Sequence, residues 1–342
     1  MSLEPTANGA ARRPNIYDVA DRAGVSHMTV SRVLNGHPSV REATRERVLA
    51  VISELNYARS RSARALATNR SMRIGAIIDN AEHYGPNSTL LAIEAAARES
   101  GYALSTYSVV GQADGIGAAV ADLSDQEVDG LCVIAPRASS VAELRALSID
   151  VPLLVVKEEP DEFLHTAAVD QHAGALDAVQ HLIDLGHREI LHVAGPQEWF
   201  DARSRTEAWR LCLKRAGLPA HDPHFGDWSS DSGYEIGRRI ELGEATAVFV
   251  ANDQMALGLI HALAERGIHV PDDVSVVGFD DLPEARHFLP PLTTVRQDFA
   301  ALGRLVIEEL IAAMEGQETA VGELIRPQLQ VRASTAAPRQ LG

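Results

Sequence analysis

IYDVADRAGVSHMTVSRVLN, residues 16–35, predicts two short helices joined by a tight turn. In the first helix, apolar residues recur at i, i+3, i+4 and i+7, which places them on one helical face. These residues are Ile16, Val19, Ala20 and Ala23. Gly24 follows them at the position where glycine commonly ends a helix.

The second helix of this stretch has a predicted packed side and a polar outer side. Ser26 is placed to cap the helix by accepting a hydrogen bond from a first-turn amide. Val25 and Val30 are placed to touch as a hydrophobic staple, and Val33 and Leu34 extend the apolar side. The outer side carries His27, Met28, Ser31 and Arg32. Such a helix suits the major groove of DNA, although an ordinary helical hairpin with a solvated face shows the same pattern.

Residues 17–35, YDVADRAGVSHMTVSRVLN, resemble the helix-turn-helix of the LacI/GalR family of bacterial repressors almost position by position. The resemblance implies a DNA-binding domain over residues 15–58, switched by the rest of the chain. It carries DNA contacts over to Tyr17, Ser26, His27, Met28, Thr29, Ser31, Arg32 and Asn35. The first two residues of the second helix, His27 and Met28, differ from those at the same positions in the family member that the core of this chain resembles. We therefore expect a palindromic operator with different inner bases. Histidine can bond a purine edge, methionine can contact a thymine methyl group, and Arg32 can pair with a guanine.

A third helix is predicted over residues 41–55, with Val48, Ile52 and Leu55 facing inward. The family usually has a small capping residue where this sequence has Arg41, so Ser39 is the alternative cap.

Residues 59–72 form a predicted linker, and RSRSARALATNR at 59–70 allows two interpretations. Its arginines and small residues are typical of a flexible, solvated linker. The family resemblance implies instead a hinge helix that orders on operator DNA, and Ala63, Leu66 and Ala67 share one helical face. In that interpretation Leu66 is a minor-groove wedge and Arg61 neutralises phosphate.

The charge is divided unevenly along the chain. Its net charge is −16, which taken alone argues against nucleic acid. Residues 1–70 carry 11 Arg and no Lys against 6 acidic residues, a net of +5, and the remainder carries 20 basic and 41 acidic residues, a net of −21. A basic head on an acidic body is expected when the head alone contacts phosphate.

Length and composition indicate two or three domains, since the chain has 342 residues and is 46% hydrophobic. No apolar run approaches a membrane span, and residues 1–14 lack the apolar core of a signal peptide and are predicted to be disordered. Cys132 and Cys212 lie in apolar segments and are predicted to be buried thiols. We therefore expect a cytoplasmic protein.

From residue 73 the sequence alternates apolar strands with helices, which predicts parallel sheets with helices on both faces. Two successive rounds predict two doubly wound lobes, similar to the periplasmic sugar-binding-protein fold that the family joins to its DNA-binding domain. We expect residues 73–168 and 296–332 in the N-lobe, 169–295 in the C-lobe and 333–342 as a tail. Ligands in such folds bind at the carboxyl ends of the strands.

Polar and aromatic side chains follow several of the predicted strands, as a sugar site requires. The stretches AGP (194–196), GDWS (226–229), VANDQMALG (250–258), SVVGFDD (275–281) and PPLTTVRQDF (290–299) closely resemble the family core. That resemblance implies that Arg205, Asn252 and Asp280 hold sugar hydroxyls while Trp228 and Phe299 wall the ring. Asp253 and Asp281 are interpreted as helix caps or turn formers.

Three further candidate effector residues, Asp79, Tyr84 and Lys157, stand where the sequence departs from the family pattern. Lys157 replaces an acidic residue and could favour an acidic sugar or a phosphate, although a solvated side chain is the interpretation we prefer. The far end of the ligand is therefore expected to be recognised differently.

The favoured interpretation is a homodimeric, sugar-responsive repressor that a saccharide inducer, with a galactoside as one candidate, releases from DNA. The alternatives are a corepressor-dependent regulator sensing a purine or phosphosugar, and a solute-binding protein. We expect no enzyme, because no nucleophile and base with recognisable spacing, HExxH, P-loop or GxGxxG is found. No cofactor, metal or membrane partner is expected, and the absence of a heptad tail predicts a dimer.

Overall fold

The computed structural model describes residues 14–34, 37–55, 57, 70–109, 115–159, 161, 163–317 and 322–339. The chain divides into two compact units, residues 1–72 and residues 73–342. Asn35, Arg61 and Leu66, three of the predicted DNA contacts, lie outside the described residues. So does residue 56, which follows the third helix.

The described part of the first unit forms three short helices: α1 Ile16–Ala23, α2 His27–Leu34 and α3 Glu42–Glu54. As predicted, α1 ends at Gly24, whose φ of 63° is left-handed. Asn15 and Asp18 form a capping box at its start, each side chain accepting a hydrogen bond from the other residue's backbone amide. Both ends of α1 are therefore specified locally.

The three helices enclose a small apolar core. Its fully enclosed members are Val19, Val30 and Val48, one from each helix, as the apolar spacing predicts. The expected cap of α3 is wrong, because the Ser39 hydroxyl contacts His37 Nδ1 at 2.8 Å instead. Arg41 occupies the capping position without a side-chain hydrogen bond.

The first lobe of the second unit is a six-stranded parallel sheet in the order β11-β5-β4-β3-β1-β2. Its strands are β1 Arg73–Asp79, β2 Ala103–Val109, β3 Gly130–Ile134, β4 Leu153–Val156, β5 His165–Val169 and β11 Glu323–Ile325. Its helices are α4 Tyr84–Glu99, α5 Ile116–Asp125, α6 Ala138–Arg145 and α11 Phe299–Met314. The backbone of α11 approaches α4 closely, since a Cβ at Gly303 would lie 2.5 Å from the Ala92 carbonyl carbon.

The second lobe is also a six-stranded sheet, in the order β12-β10-β9-β8-β6-β7. Its strands are β6 Ile190–Ala194, β7 His224–Phe225, β8 Ala247–Val250, β9 Ser275–Asp280, β10 Thr293–Arg296 and β12 Gln328–Gln330. Its helices are α7 Gln171–Asp184, α8 Phe200–Ala216, α9 Ser230–Arg239 and α10 Asp253–Glu265, with a 3₁₀ turn at Ala285–His287. Only β12 runs antiparallel to its neighbour.

The end of the chain departs from the predicted division. One strand was expected over residues 323–332 in the first lobe, but β11 joins the first sheet and β12 joins the second, beside β10. Residues beyond them also belong to the second lobe, where Ser334 is fully buried and bonds Val276 and Thr293. The predicted tail is therefore partly core.

Two helices begin earlier than expected. The helix predicted from residue 87 begins at Tyr84, and the one predicted from residue 204 begins at Phe200. Phe200 N donates to Pro136 O at 2.9 Å, and the Phe200 ring packs in the first lobe's apolar core. This contact joins the two lobes at one side of the cleft between them.

Cys132 and Cys212 are buried free thiols, as expected. Burial raises the pKa of Cys132 to about 12, which makes this thiol unreactive. No helix in the described part of the chain is long and apolar enough to cross a membrane.

Candidate functional site

The second helix presents its predicted outer residues at the surface of the first unit. Met28 is 56% exposed, and His27 and Arg32 are also exposed, whereas Ser31 is half-buried. An exposed methionine beside an arginine has no packing role within this domain. The surface therefore offers both apolar and cationic contacts to a partner.

Local contacts hold the start of this helix in place. Ser26 Oγ accepts a hydrogen bond from Thr29 N at 3.2 Å and lies 3.0 Å from Thr29 Oγ1. The rings of Tyr17 and His27 meet with centroids 5.2 Å apart. Tyr17 is 59% exposed, so this pair extends the exposed surface from α2 onto α1. Ser26, Thr29 and Tyr17 thus orient the residues that the helix displays.

In the second unit, two adjoining cavities lie between the lobes at the strand ends. The first measures about 320 Å³ and is lined by His83, Tyr84, Gly85, Pro86, Trp199, Asp201, Arg205, Trp228, Asn252, Gln254 and Asp280. The second measures about 460 Å³ and is mainly apolar, with polar side chains from Lys157, Gln171, Asp201 and Gln297. Gly85, Pro86 and Asp201 line both cavities. The cleft thus has a polar, aromatic half and an apolar half.

Arg205 is the central cation of the polar half. It is 3% exposed, its Nε and Nη2 donate to Gln171 Oε1 at 3.0 and 2.7 Å, and its Nη1 donates to the Ala251 carbonyl. Its guanidinium lies 3.8 Å from the centre of the Phe279 ring. These contacts fix the plane of the guanidinium before any ligand binds.

Asp280 faces Arg205 across the cavity floor. Its Oδ1 lies 3.6 Å from Arg205 Nη2 and accepts a hydrogen bond from Gln297 Nε2 at 2.7 Å. Burial raises the pKa of Asp280 to about 6, against the opposing influence of Arg205 and Gln297. Its φ of 106° is rare for a residue with a side chain, and such backbone strain concentrates at functional sites.

Trp228 forms an aromatic wall of the first cavity. It also has a positive φ, 76°, and its ring lies so close to Gly195 that a Cβ there would be 2.2 Å from a ring carbon. Its ring meets that of Trp199 edge-on with centroids 5.5 Å apart. The indole Nε1 is buried and has no partner among the described residues.

Asn252 reaches the cavity but is already engaged in the fold. Its Oδ1 accepts from Met255 N at 3.0 Å and caps α10, while its Nδ2 donates to the Trp228 carbonyl at 3.0 Å. It therefore fixes the Trp228 backbone as well as lining the site. Tyr84 and Phe299 meet edge-on with centroids 5.9 Å apart, Tyr84 lining the first cavity and Phe299 the second.

The capping interpretation of Asp253 and Asp281 is wrong. Asp253 is fully buried and accepts from Leu282 N at 2.8 Å and Thr294 Oγ1 at 2.5 Å. Asp281 pairs with Arg296 and Arg332 at 2.7 and 2.6 Å. Both carboxylates tie strands together behind the cleft.

Two predicted effector residues are held by partners within the first lobe. Asp79 pairs with Arg137 at 2.7 Å and with the Ser140 hydroxyl, and it lines neither cavity. Lys157 does line the second cavity, but it is 5% exposed and pairs with Asp161 at 2.9 Å. The preferred interpretation of Lys157 as a solvated side chain is therefore wrong.

Asp161 holds a full charge beside that lysine. Burial alone would raise its pKa, but bonds from Lys157, the Phe163 amide and Arg145 bring the pKa down to about 2.

The prediction missed Asp201, Gln171, Gln297 and Trp199, all of which line the cleft. Gln171 and Gln297 follow predicted strands, so their position alone could have nominated them. Trp199 is positioned by contacts across the cleft, as its ring meets that of His83 with centroids 5.0 Å apart and its backbone bridges Arg137. No group of three or more His, Cys, Asp or Glu in the described ranges is arranged to hold a metal ion.

Comparisons with known proteins agree with both units. Residues 15–60 match the model of the bacterial regulatory proteins, lacI family, and residues 179–335 match a periplasmic binding protein-like domain. The lactose operon repressor of Escherichia coli (strain K12) is 36% identical over 94% of this chain and 91% of its own length. The HTH-type transcriptional repressor PurR of Haemophilus influenzae (strain PittEE) is 32% identical over 93% of this chain and 98% of its own length.

A solved structure extends the likeness to three dimensions. The crystal structure of the lac repressor dimer bound to operator and the anti-inducer ONPF superposes with a TM-score of 0.82 at 35% identity, covering 95% of this chain and all of that one. The resemblance in the helix-turn-helix and in the core motifs is thereby confirmed over almost the whole chain. The chain belongs to the LacI family of DNA-binding transcriptional repressors.

Proposed function

We propose that this repressor binds a palindromic operator through α2 and is released from it by a saccharide bound between the lobes. The observation that carries the proposal is the polar half of the cleft, where Arg205, Asp280 and Trp228 converge on one cavity. Buried charged groups beside an aromatic wall suit a ring that has hydroxyls on its edge and an apolar face.

The proposed operator binding rests on the exposed face of α2, which is called the recognition helix below. His27, Met28 and Arg32 are proposed to contact base edges, while Ser26 and Thr29 hold the helix start. Tyr17, Ser31, Asn35, Arg61 and the wedge Leu66 remain proposed contacts by family analogy. Since the similar lac repressor was crystallised as a dimer on operator, we propose that this chain also binds as a homodimer, with half-sites one DNA turn, about 34 Å, apart.

The switch requires the effector to favour one arrangement of the lobes over another. To change the protein from mainly operator-bound to mainly released, the effector must bind one lobe arrangement more tightly than the other by several kcal/mol, up to about 5.5. Contacts from both lobes can supply such a difference in affinity. Tyr84 and Phe299 belong to the first lobe, and Arg205 and Trp228 belong to the second lobe. A ligand that touches all four would hold the lobes in one relation.

A purine corepressor is the second candidate. One relative is named PurR, and four aromatic rings, His83, Tyr84, Trp199 and Trp228, line the first cavity. The geometry is less favourable to a flat base, because the Trp199 and Trp228 planes are inclined by 68° and form no parallel slot. The two candidates predict opposite effects on DNA binding, release for a saccharide inducer and tightening for a purine corepressor.

The test combines operator selection with a ligand panel. Random-site selection by the full chain should return palindromes, and fluorescence anisotropy on the selected operator should show release by a saccharide. Arg205→Ala should abolish the response, whereas Arg210→Ala, an exposed arginine on the same helix, should leave it unchanged. Selection of asymmetric sites, or tightening by purines alone, would refute the proposal.

A further inference from the structure

The carboxylate of Asp201 occupies the junction of the two cavities, since it is one of three residues that line both. It stands on α8 one turn before Arg205, and its Oδ2 lies 3.8 Å from Arg205 Nη2. Asp280 Oδ1 lies 3.6 Å from the same nitrogen. One guanidinium therefore faces two carboxylates.

Among the described residues, no second cation is paired with either carboxylate. Three of the five N–H groups of Arg205 already donate to Gln171 and the Ala251 carbonyl, which holds its guanidinium in place. Lys157, which lines the second cavity, is already paired with Asp161. His83 also faces the first cavity, but its Nε2 lies 3.8 Å from the carboxylate of Glu82.

Asp201 differs from Asp280 in having no fixed hydrogen-bond donor. Gln297 donates to Asp280, whereas within the described ranges the only polar contact of Asp201 is the ion pair with Arg205. A carboxylate that is partly removed from water and accepts no hydrogen bond is costly. A ligand that supplies a donor or a positive charge at this point recovers that cost.

Two features of the surrounding wall indicate what else the ligand offers. Trp199 and Trp228 line the same cavity as Asp201, and aromatic rings attract cations. The Asp280 carboxylate also lines this cavity and can accept a hydrogen bond from a sugar hydroxyl. The cavity is thus suited to one molecule that carries both a positively charged nitrogen and hydroxyl groups.

We infer that the effector is a cationic amino sugar whose ammonium group lies against Asp201, with its hydroxyls directed to Asp280 and its apolar face to the Trp228 ring. The inference rests on the proposed function and names the saccharide class. It also excludes sugar phosphates and uronic acids, because an anionic group at this junction would face two carboxylates whose only cation is already shared. Lys157 confers no preference for anions while it is paired with Asp161.

The test is calorimetry on the full chain with matched sets of ligands. Each set holds a hexosamine with a free amine (the gluco, galacto or manno isomer), its N-acetyl derivative and the parent hexose. At least one free amine should bind 10-fold or more tightly than both neutral partners, and hexose 6-phosphates should not bind.

Substitutions then assign the preference to the carboxylate. Asp201→Asn should abolish the advantage of the amine over its neutral partners, and Asp201→Glu should retain part of it. Glu207→Gln removes an exposed carboxylate from the same helix and should have no effect. An unchanged thermal midpoint would show that the variants are folded.

The outcomes separate the two proposals. If a parent hexose or a sugar phosphate binds most tightly and Asp201→Asn has no effect, the amino-sugar inference is overturned while the saccharide effector stands. If no saccharide of any charge binds the folded chain, both are overturned.

Discussion

On the recognition helix, Met28 is 56% exposed and His27 and Arg32 are also exposed, whereas Arg205 in the cleft is 3% exposed and donates three hydrogen bonds to the protein. The difference reflects what each region must bind. If α2 enters a DNA groove as proposed, it can display exposed side chains. A small ligand must instead be enclosed, so most charged groups of the cleft are held by protein partners before the ligand arrives. Substitutions should therefore cost stability in the cleft and almost none on the recognition helix.

The largest effect is expected from Arg205→Ala. It leaves Asp201 and Asp280 facing each other without a cation, and breaking such a buried network typically costs about 3–5 kcal/mol. Thermal or urea unfolding of the second unit should show this loss together with loss of the effector response. Arg210→Ala is the matched control, and equal stability of the two variants would contradict the central place given to Arg205.

Gly195→Ala should have the next largest effect. The added Cβ would lie 2.2 Å from the Trp228 ring, so the ring must move, which costs about 1–3 kcal/mol in a packed site. Effector affinity should fall at least 10-fold and tryptophan fluorescence should shift, while operator affinity without effector should stay unchanged. Unaltered fluorescence and ligand affinity would show that Trp228 is not held against this glycine.

A pH-dependent effect of intermediate size is expected from Asp280. Its pKa is raised to about 6 in the folded protein, from an unfolded value near 3.9. Between these two pH values the folded protein therefore binds a proton that the unfolded chain does not. Stability from this group is therefore fully present below about pH 4 and is lost as the pH rises through 6. Glu158, whose pKa burial raises to about 7, acts in the same direction.

Asp280→Asn mimics the protonated carboxyl group. The effector-free variant should be more stable than the parent at pH 7.5 by about 1–2 kcal/mol, and its stability should depend less on pH, although it binds effector weakly. Asp231→Asn, on the exposed side of α9, is the control. If the parent became more stable between pH 5 and 7 while the Asp280→Asn variant did not, the predicted direction of the pH dependence would be contradicted.

The smallest effect on stability is expected at the recognition helix. His27→Ala and Met28→Ala should each change the free energy of unfolding by less than about 0.5 kcal/mol, because surface substitutions rarely do more. Each should nevertheless change base preference at one operator position by about 1–3 kcal/mol. Selection of sites by each variant measures this, and unchanged site preference would remove these residues from the proposed contacts.

The helix-turn-helix could be predicted from the sequence because its signals are local. Gly24 ends α1, Ser26 bonds the first turn of α2, and three valines spaced for a common core do meet there. The alternation of strands and helices likewise predicts the two sheets. In these parts the decisive contacts lie within a few residues or within one repeated pattern.

The cleft could be predicted only in part because its decisive contacts span the fold. Asp201 was missed because α8 begins at Phe200, whose amide bonds Pro136 of the other lobe, and no cap in the sequence marks that start. The start of α4 was missed because Pro86 lies in its first turn, where proline is tolerated. Asp79 and Lys157 were recognised as unusual, but their partners Arg137 and Asp161 could not be identified from spacing.

The division of the last strands shows the same limit. Residues 323–332 are predicted as one strand, yet Pro327 separates β11 from β12, and a Cβ at Gly174 would lie 2.8 Å from the Pro327 ring. The chain therefore crosses from the first sheet to the second within a few residues. Sheet membership is decided by this close packing, which the hydrophobic pattern of the segment does not record.

The coupling of the cleft to the recognition helix is tested most directly by operator release. Fluorescence anisotropy of the full chain on its selected operator would be followed as saccharide is added, for the parent and for Arg205→Ala. The account predicts that saccharide weakens operator binding at least 10-fold in the parent and leaves Arg205→Ala bound. Operator binding that saccharide leaves unchanged in the parent, or a release that persists in Arg205→Ala, would contradict it.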